Sequence, residues 1–210
     1  MELERIPDEV FAFDDLREDP VYRAIPRSER LAYIRIGLEA GRSAAKVYAG
    51  RDLAALLRAD GVTIRQVKEP SPAGLHAQIT YDGRCRKVDL FADTAKQLSR
   101  VLAAAGWQIP SEQVEQLFLA HEFYHWLEYT GCIHPVEERL PLHTRVLGLI
   151  PCARRVRRTG EIAAFAFAKR VCGWPVHPKG MDYLLLGEWH GEDPTVRLAQ
   201  LEQAYGAACL

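Results

Sequence analysis

The sequence lacks several features that would point to common functions. No apolar run approaches the roughly 18–20 residues that span a bilayer. Five cysteines are scattered over 210 residues without a CxxC pair, which favours reduced thiols over a disulfide framework. Excess charge is also absent, because 27 basic and 28 acidic residues give a formal net charge of −1. We therefore expect no attraction to nucleic acid or to anionic membranes.

The amino terminus, MELERIPDEVFAFDDLRED, lacks the continuous apolar core of a signal peptide. We therefore expect a cytoplasmic protein. The chain has no internal repeat and no convincing helix-turn-helix, and its length supports one sizeable core. We predict an N-terminal extension at residues 1–27 and a single domain at residues 28–210.

Helical patterns occur before and after a central extended region. One helix is predicted at residues 28–40, where Leu31, Ile34 and Leu38 recur at helical spacing. Further helices are predicted at 51–60, at about 94–105, from Pro110, from Thr159 and from about Pro194. Helices on both sides of a small sheet indicate an α+β fold.

Residues 62–92 predict that sheet. β-branched residues dominate 62–69, and after a loop at 70–74 the runs 75–81 and 84–92 flank an Asp-Gly dipeptide, which favours a tight hairpin turn. The three strands predict a three-stranded sheet, with an edge strand expected within 84–92. The proline-containing segment 131–158 is expected to be mostly irregular.

The stretch FLAHEFYHWLEY contains the pattern H-E-x-x-H at His121, Glu122 and His125. Histidines four apart lie one helical turn apart, so both imidazoles can bind one zinc ion. The glutamate can reach the open coordination position and take a proton from water that the metal activates. On a helical projection the histidines share the interior stripe with Val114 and Phe118, where two imidazoles without a partner would be unfavourable.

Two histidines leave zinc in need of a third protein ligand, and four residues are candidates. Glu128 lies one turn beyond His125, where it is better placed to orient a histidine than to bind the metal. His134 and His143 lie in the segment expected to be irregular and could fold back. Glu161 is preferred, because it is a carboxylate on an otherwise apolar, alanine-lined helix face. The alternative explanation for Glu161 is that the helix dipole stabilises an acidic residue in the first turn of a helix.

The pattern H-E-x-x-H followed by E-x-x-A-x-x-F-A, at Glu161, Ala164, Phe167 and Ala168, resembles the ImmA/IrrE-type zinc peptidases of the gluzincin group. The resemblance covers roughly residues 28–175. It implies a single zincin-like domain in which a small three-stranded sheet lies beside an active-site helix, with other helices around them.

The same resemblance implies roles for the motif residues. His121, His125 and Glu161 become zinc ligands, and Glu122 becomes the catalytic base. Two positions depart from the usual family pattern: Tyr124 stands where a small residue is common, and Phe165 where an asparagine is often found.

We therefore expect an intracellular zinc peptidase that hydrolyses a protein or peptide. Peptidases of the type that the sequence resembles often cleave DNA-binding repressors, so a separately encoded helix-turn-helix regulator is one candidate substrate. The alternatives are a non-catalytic, zinc-stabilised module that binds a partner, and a metal-free helical protein with satisfied histidines.

Other features carry weaker hypotheses. His177, Tyr183 and His190 are candidates for stabilising an oxyanion near the metal. The run ARRVRR at 153–158 could hold an acidic substrate segment, although short basic runs are more often solvated.

Overall fold

The computed structural model describes residues 3–69, 71, 75–146 and 149–209. The described residues form an α+β fold in which helices surround a small sheet. The helices are α1 (Asp8–Arg17), α2 (Arg27–Tyr48), α3 (Leu53–Ala59), α4 (Ala92–Ala104), α5 (Ser111–Tyr129), α6 (Arg158–Cys172), α7 (Pro178–His190) and α8 (Pro194–Cys209). The strands are β1 (Thr63–Val67), β2 (Ala77–Tyr81), β3 (Arg86–Phe91), β4 (Leu142–Val146) and β5 (Ile150–Arg154). Short 3₁₀ turns occupy Leu3–Arg5, Tyr22–Ala24 and Val136–Glu138.

The predicted three-stranded sheet is present, but its strand order differs from the expectation. The order is β1-β3-β2, with β3 parallel to β1 and antiparallel to β2. The expected edge strand within 84–92 is therefore wrong, because β3 lies at the centre, where Val88 and Leu90 are buried. The turn between β2 and β3 is centred on Gly83 and Arg84, one residue later than the Asp-Gly dipeptide. Most of the loop predicted at 70–74 lies outside the described residues.

The expectation that 131–158 is mostly irregular is also wrong. β4 and β5 form an antiparallel pair in which Pro151 lies opposite Arg145. In a two-stranded sheet both strands are edges, and an edge strand tolerates a proline whose missing N–H faces outward. The prolines of this segment therefore do not prevent strand formation.

Helices α1 and α7 were not predicted from the sequence, and both contribute to the core. In α1 the consecutive residues Phe11, Ala12 and Phe13 are all buried, so the helix is enclosed on several faces and shows little helical periodicity. Asp15 of the same helix is buried and lies 2.8 Å from Lys179 Nζ of α7. Part of the predicted extension at 1–27 therefore packs in the same hydrophobic cluster as the rest of the chain.

Two glycines allow α2 to approach α6 closely. A Cβ placed on Gly41 would lie 2.1 Å from the carbonyl oxygen of Ala163, and one on Gly37 would lie 2.7 Å from Ile162 Cγ2. Both distances are well inside van der Waals contact. The other side of α6 packs against α5, the helix that carries H-E-x-x-H.

We expect Gly41→Ala to lower the free energy of unfolding by about 2 kcal/mol or more, because the new methyl group overlaps rigid backbone. Gly206→Ala is the matched control: it also lies within a helix, but nothing lies within 4 Å of its added Cβ. This control should gain up to about 1 kcal/mol from helix propensity. Urea unfolding of both variants measures the difference, and equal effects would contradict the close packing.

Candidate metal centre

Three side chains converge between α5 and α6. His121 Nε2 lies 3.3 Å from His125 Nε2 and 3.3 Å from Glu161 Oε2. His125 Nε2 lies 3.6 Å from Glu161 Oε1. We call His121, His125 and Glu161 the ligand cluster. The structure thus brings together the three residues that the sequence predicted as zinc ligands.

The spacing of the ligand cluster fits a tetrahedral metal. Ligand atoms that bind zinc at roughly 2.0–2.1 Å in tetrahedral geometry lie about 3.3 Å from one another. The three observed separations are close to this value. Two imidazole nitrogens and one carboxylate are also a donor set found in catalytic zinc sites.

Glu161 reaches the histidines because the start of α6 is anchored. Asp19, which is buried, accepts a hydrogen bond from the backbone N–H of Arg158 through Oδ2 at 2.9 Å. Its Oδ1 accepts from the backbone N–H of Val21 at 2.9 Å. The bond from Arg158 to Asp19 satisfies an N–H at the start of α6 that has no partner within the helix. The first turn, which holds Glu161, is thereby fixed to the segment after α1.

The electrostatics of the cluster indicate a site for positive charge. Burial opposes the charged form of His125, but the carboxylates of Glu128 and Glu161 outweigh it and raise the pKa of His125 to about 10. Burial likewise opposes ionisation of Glu161, but His121 and His125 hold the pKa of its carboxyl well below the usual range. Without a metal, the cluster therefore retains a proton at neutral pH.

Glu128 contacts the far side of His125. Its Oε2 lies 3.5 Å from His125 Nδ1, while its Oε1 accepts from the backbone N–H of Val136 at 3.2 Å. A carboxylate at Nδ1 turns Nε2 toward Glu161, which is the orienting role predicted for Glu128. The Nδ1 atom of His121 is buried and has no hydrogen-bond partner among the described residues.

The other two candidates for a third ligand lie elsewhere. His134 is exposed, with Nε2 3.6 Å from Glu138 Oε2. His143 is exposed on β4. Neither belongs to the ligand cluster.

Glu122 is held at the edge of the sheet. Its Oε2 accepts a hydrogen bond from the backbone N–H of Ile79 at 2.8 Å. The carbonyl of His76 accepts a hydrogen bond from the N–H of Phe91 at the end of β3. Main-chain groups alternate in direction along a strand, so the N–H of Ile79, three residues after His76, points away from β3. The predicted base therefore directly follows His121 on α5 and contacts the outer edge of β2.

A cleft of about 910 Å³ opens over the ligand cluster, and β2, α5, the start of α6 and α7 form its walls. Two further residues in this cleft have no recognisable signal in the sequence. His76 Nε2 lies 2.8 Å from Asp182 Oδ1, and its ring stacks on Phe118 at a centroid distance of 4.2 Å. Because His76 and Asp182 are 106 positions apart, no local spacing could reveal the pair.

None of the three predicted oxyanion candidates lines the cleft. His177 is buried at the start of α7, where its Nδ1 accepts from the backbone N–H of Lys179 at 3.3 Å. Tyr183 donates to Asp14 Oδ2 at 2.7 Å. His190 is exposed at the end of α7.

The basic run is divided between solvent, ion pairs and the cleft. Arg155 pairs with Glu137 and Glu138, and Arg158 pairs with Glu18. Arg154 is exposed on β5, outside the cleft. Arg157 is exposed but lines the cleft.

We found no protein-family model that matches the chain, and no match to a curated protein or to a solved structure. The chemistry of the site must therefore be inferred from its own geometry.

Removal of each glutamate should weaken metal binding to a different degree. Glu161→Ala removes a ligand atom and should abolish stoichiometric zinc binding. Glu128→Ala removes only the partner of His125 Nδ1, so affinity should fall about 10–100-fold. Zinc titration with a competing chelator measures both affinities. A greater loss in Glu128→Ala than in Glu161→Ala would contradict the assigned ligand set.

His177 should make the fold sensitive to acid. Burial lowers the pKa of His177 to about 3, whereas an unfolded histidine titrates near 6.5. Between these values only the unfolded state gains the proton, so stability falls as the pH falls, by up to about 1.4 kcal/mol per pH unit.

His177→Asn keeps an acceptor at the start of α7 but does not titrate. We therefore expect a shallower pH dependence of the free energy of unfolding between about pH 4 and 6. His190→Asn, at an exposed histidine on the same helix, is the control and should keep the original slope. An unchanged slope in metal-free His177→Asn would contradict the assignment.

Proposed function

We propose that this protein is a zinc-dependent peptidase with a zincin-like domain. The observation that carries the proposal is the ligand cluster, with Glu122 beside it in the same cleft and bound to the outer edge of β2. Metal ligands alone would support a structural zinc site. A carboxylate next to them in an open cleft supports catalysis, because a catalytic site keeps one coordination position open.

Zinc is the metal that we propose for the ligand cluster. When bound, it supplies Lewis acidity, which polarises a carbonyl group and activates water near neutral pH. The protein holds it through His121, His125 and Glu161, while Glu128 orients His125.

Glu122 moves the proton in this reaction. Its carboxylate takes a proton from the attacking water as the oxygen forms a bond to the scissile carbonyl carbon. It then passes that proton to the leaving amine as the carbon–nitrogen bond breaks, so Glu122 is regenerated. The hydrogen bond from Ile79 holds the carboxylate in position for both transfers.

The free edge of β2 gives the substrate a place to bind. Ala77 and Ile79 alternate with residues hydrogen-bonded to β3, so their main-chain groups face outward along the cleft. The N–H of Ile79 is taken by Glu122, which leaves the other outward main-chain groups of this edge for a peptide. An extended peptide can add to this edge through main-chain hydrogen bonds. That binding mode places a peptide bond beside Glu122.

The proposed substrate is a protein or peptide, with a regulatory protein such as a DNA-binding repressor as one candidate. All five cysteines are free, which supports a cytoplasmic location. Among the described residues, no helix combines the length and the apolar character needed to cross a bilayer.

Glu122→Gln should retain zinc and lose peptide cleavage by at least about 100-fold, because glutamine cannot accept the proton. His121→Ala is the companion variant and should lose both zinc and cleavage. Zinc content and cleavage of a peptide mixture are measured on each purified protein.

Two results would overturn the proposal. Full activity of Glu122→Gln would remove the proposed base. A wild-type protein that binds no zinc on titration would remove the metal centre. A zinc-loaded wild type without cleavage would favour the alternative of a non-catalytic module that binds a partner.

A further inference from the structure

The cleft has a defined axis, because β2 and α5 run side by side in the same direction. The ring of His76 stacks on Phe118, the N–H of Ile79 binds Glu122, and the ring of Tyr81 lies 5.9 Å from that of Tyr129. The ligand cluster therefore lies at the middle of the cleft, between a His76 end and a Tyr129 end.

Helix α6 runs along the same axis in the opposite direction. Phe165 contacts the ring of His121 at a centroid distance of 4.4 Å, and Glu161 lies one turn earlier, where it also reaches His125. Arg157 lies one further turn toward the start of α6. Phe165 is therefore on the His76 side of the ligand cluster, and Arg157 is on the Tyr129 side.

The His76 end is apolar. Leu185, Leu186 and Trp189 of α7 line it together with Phe165, and Trp189 is 48% exposed. The charge at this end, Asp182, is paired with His76. An exposed tryptophan beside the half-buried Leu186 offers a contact surface for a large apolar group.

The Tyr129 end carries a positive charge that is available to a ligand. Glu18 is paired with Arg158 at 2.6 Å, and Glu137 is paired with Arg155 at 3.3 Å. Glu128, a third carboxylate at this end, lies 3.5 Å from His125 Nδ1. Each of these three acidic groups therefore already has a partner. Arg157 is exposed and has no ion-pair partner among the described residues, and its guanidinium suits a carboxylate.

We propose that the cleft selects peptides with an acidic residue on the amino side of the scissile bond and a large apolar residue on the carboxyl side. The orientation follows from antiparallel addition to β2, the commoner pairing of strands. An antiparallel peptide places its amino-terminal part at the Tyr129 end, near Arg157, and its carboxyl-terminal part near Trp189. This inference rests on the peptidase function proposed above.

Cleavage of a proteome-derived peptide mixture by the zinc-loaded protein tests the inference. Mass spectrometry identifies the cleaved bonds, and Glu122→Gln supplies the background. The wild type should show about tenfold enrichment of Asp or Glu before the bond, and of Leu, Ile, Met, Phe or Trp after it.

Variants assign each preference to a residue. Arg157→Glu should replace the acidic preference by Lys or Arg, while Arg154→Glu, the matched reversal of an exposed arginine outside the cleft, should leave it unchanged. The enrichment of large apolar residues after the scissile bond is measured relative to alanine at the same position of the substrate. Trp189→Ala should reduce this enrichment about tenfold.

The outcomes separate this inference from the function on which it rests. Cleavage that depends on Glu122 but shows no such preferences, or keeps them in Arg157→Glu and Trp189→Ala, overturns the selectivity alone. Apolar enrichment on the amino side overturns the orientation. Absence of any cleavage dependent on Glu122 overturns the peptidase function itself.

Discussion

The candidate site depends on the close packing of α6 between α2 and α5. The ligand cluster combines two residues of α5 with one of α6, so a displacement of α6 by an ångström or two would separate Glu161 from the histidines. Gly37 and Gly41 of α2 leave no space for such a movement, because α6 lies against their backbone. The hydrogen bond from Arg158 N–H to Asp19 fixes the start of α6 as well. Structural residues that do not line the cleft therefore set the geometry of the ligand cluster.

Tyr124 and Phe165, the two positions that differ from the peptidase pattern that the sequence resembles, both take part in the packing around α6. Tyr124 is fully buried, and its ring lies 5.6 Å from that of Phe167 on α6, so the larger side chain fills space between the two helices. The cost is a hydroxyl group that is buried and has no hydrogen-bond partner among the described residues. Phe165 covers His121 and forms part of the apolar wall of the cleft. Tyr124 thus belongs to the core, and Phe165 belongs to the wall of the cleft.

The ligand cluster could be predicted from the sequence because its signals are local. His121 and His125 are separated by one helical turn, and Glu161 is a carboxylate on an apolar helix face. The His76–Asp182 pair could not be predicted in this way, because only the packing of α7 beside the sheet brings it together. The position of β3 was also missed, since local patterns identify strands but do not give their order. Helix α1 escaped prediction because burial on several faces removes the periodicity on which such predictions rely.

The charges around the ligand cluster explain why its residues need a shared cation. Glu122, Glu128 and Glu161 all act electrostatically on His125, and together the carboxylates outweigh the burial that would otherwise keep this imidazole neutral. A proton on His125 meets that need in the absence of a metal. Zinc requires the neutral imidazole, so the proton and the metal compete for the same side chain, and metal binding at neutral pH must release the proton. The acidic groups that raise the affinity of His125 for a proton are therefore the same groups that would attract a metal ion in its place.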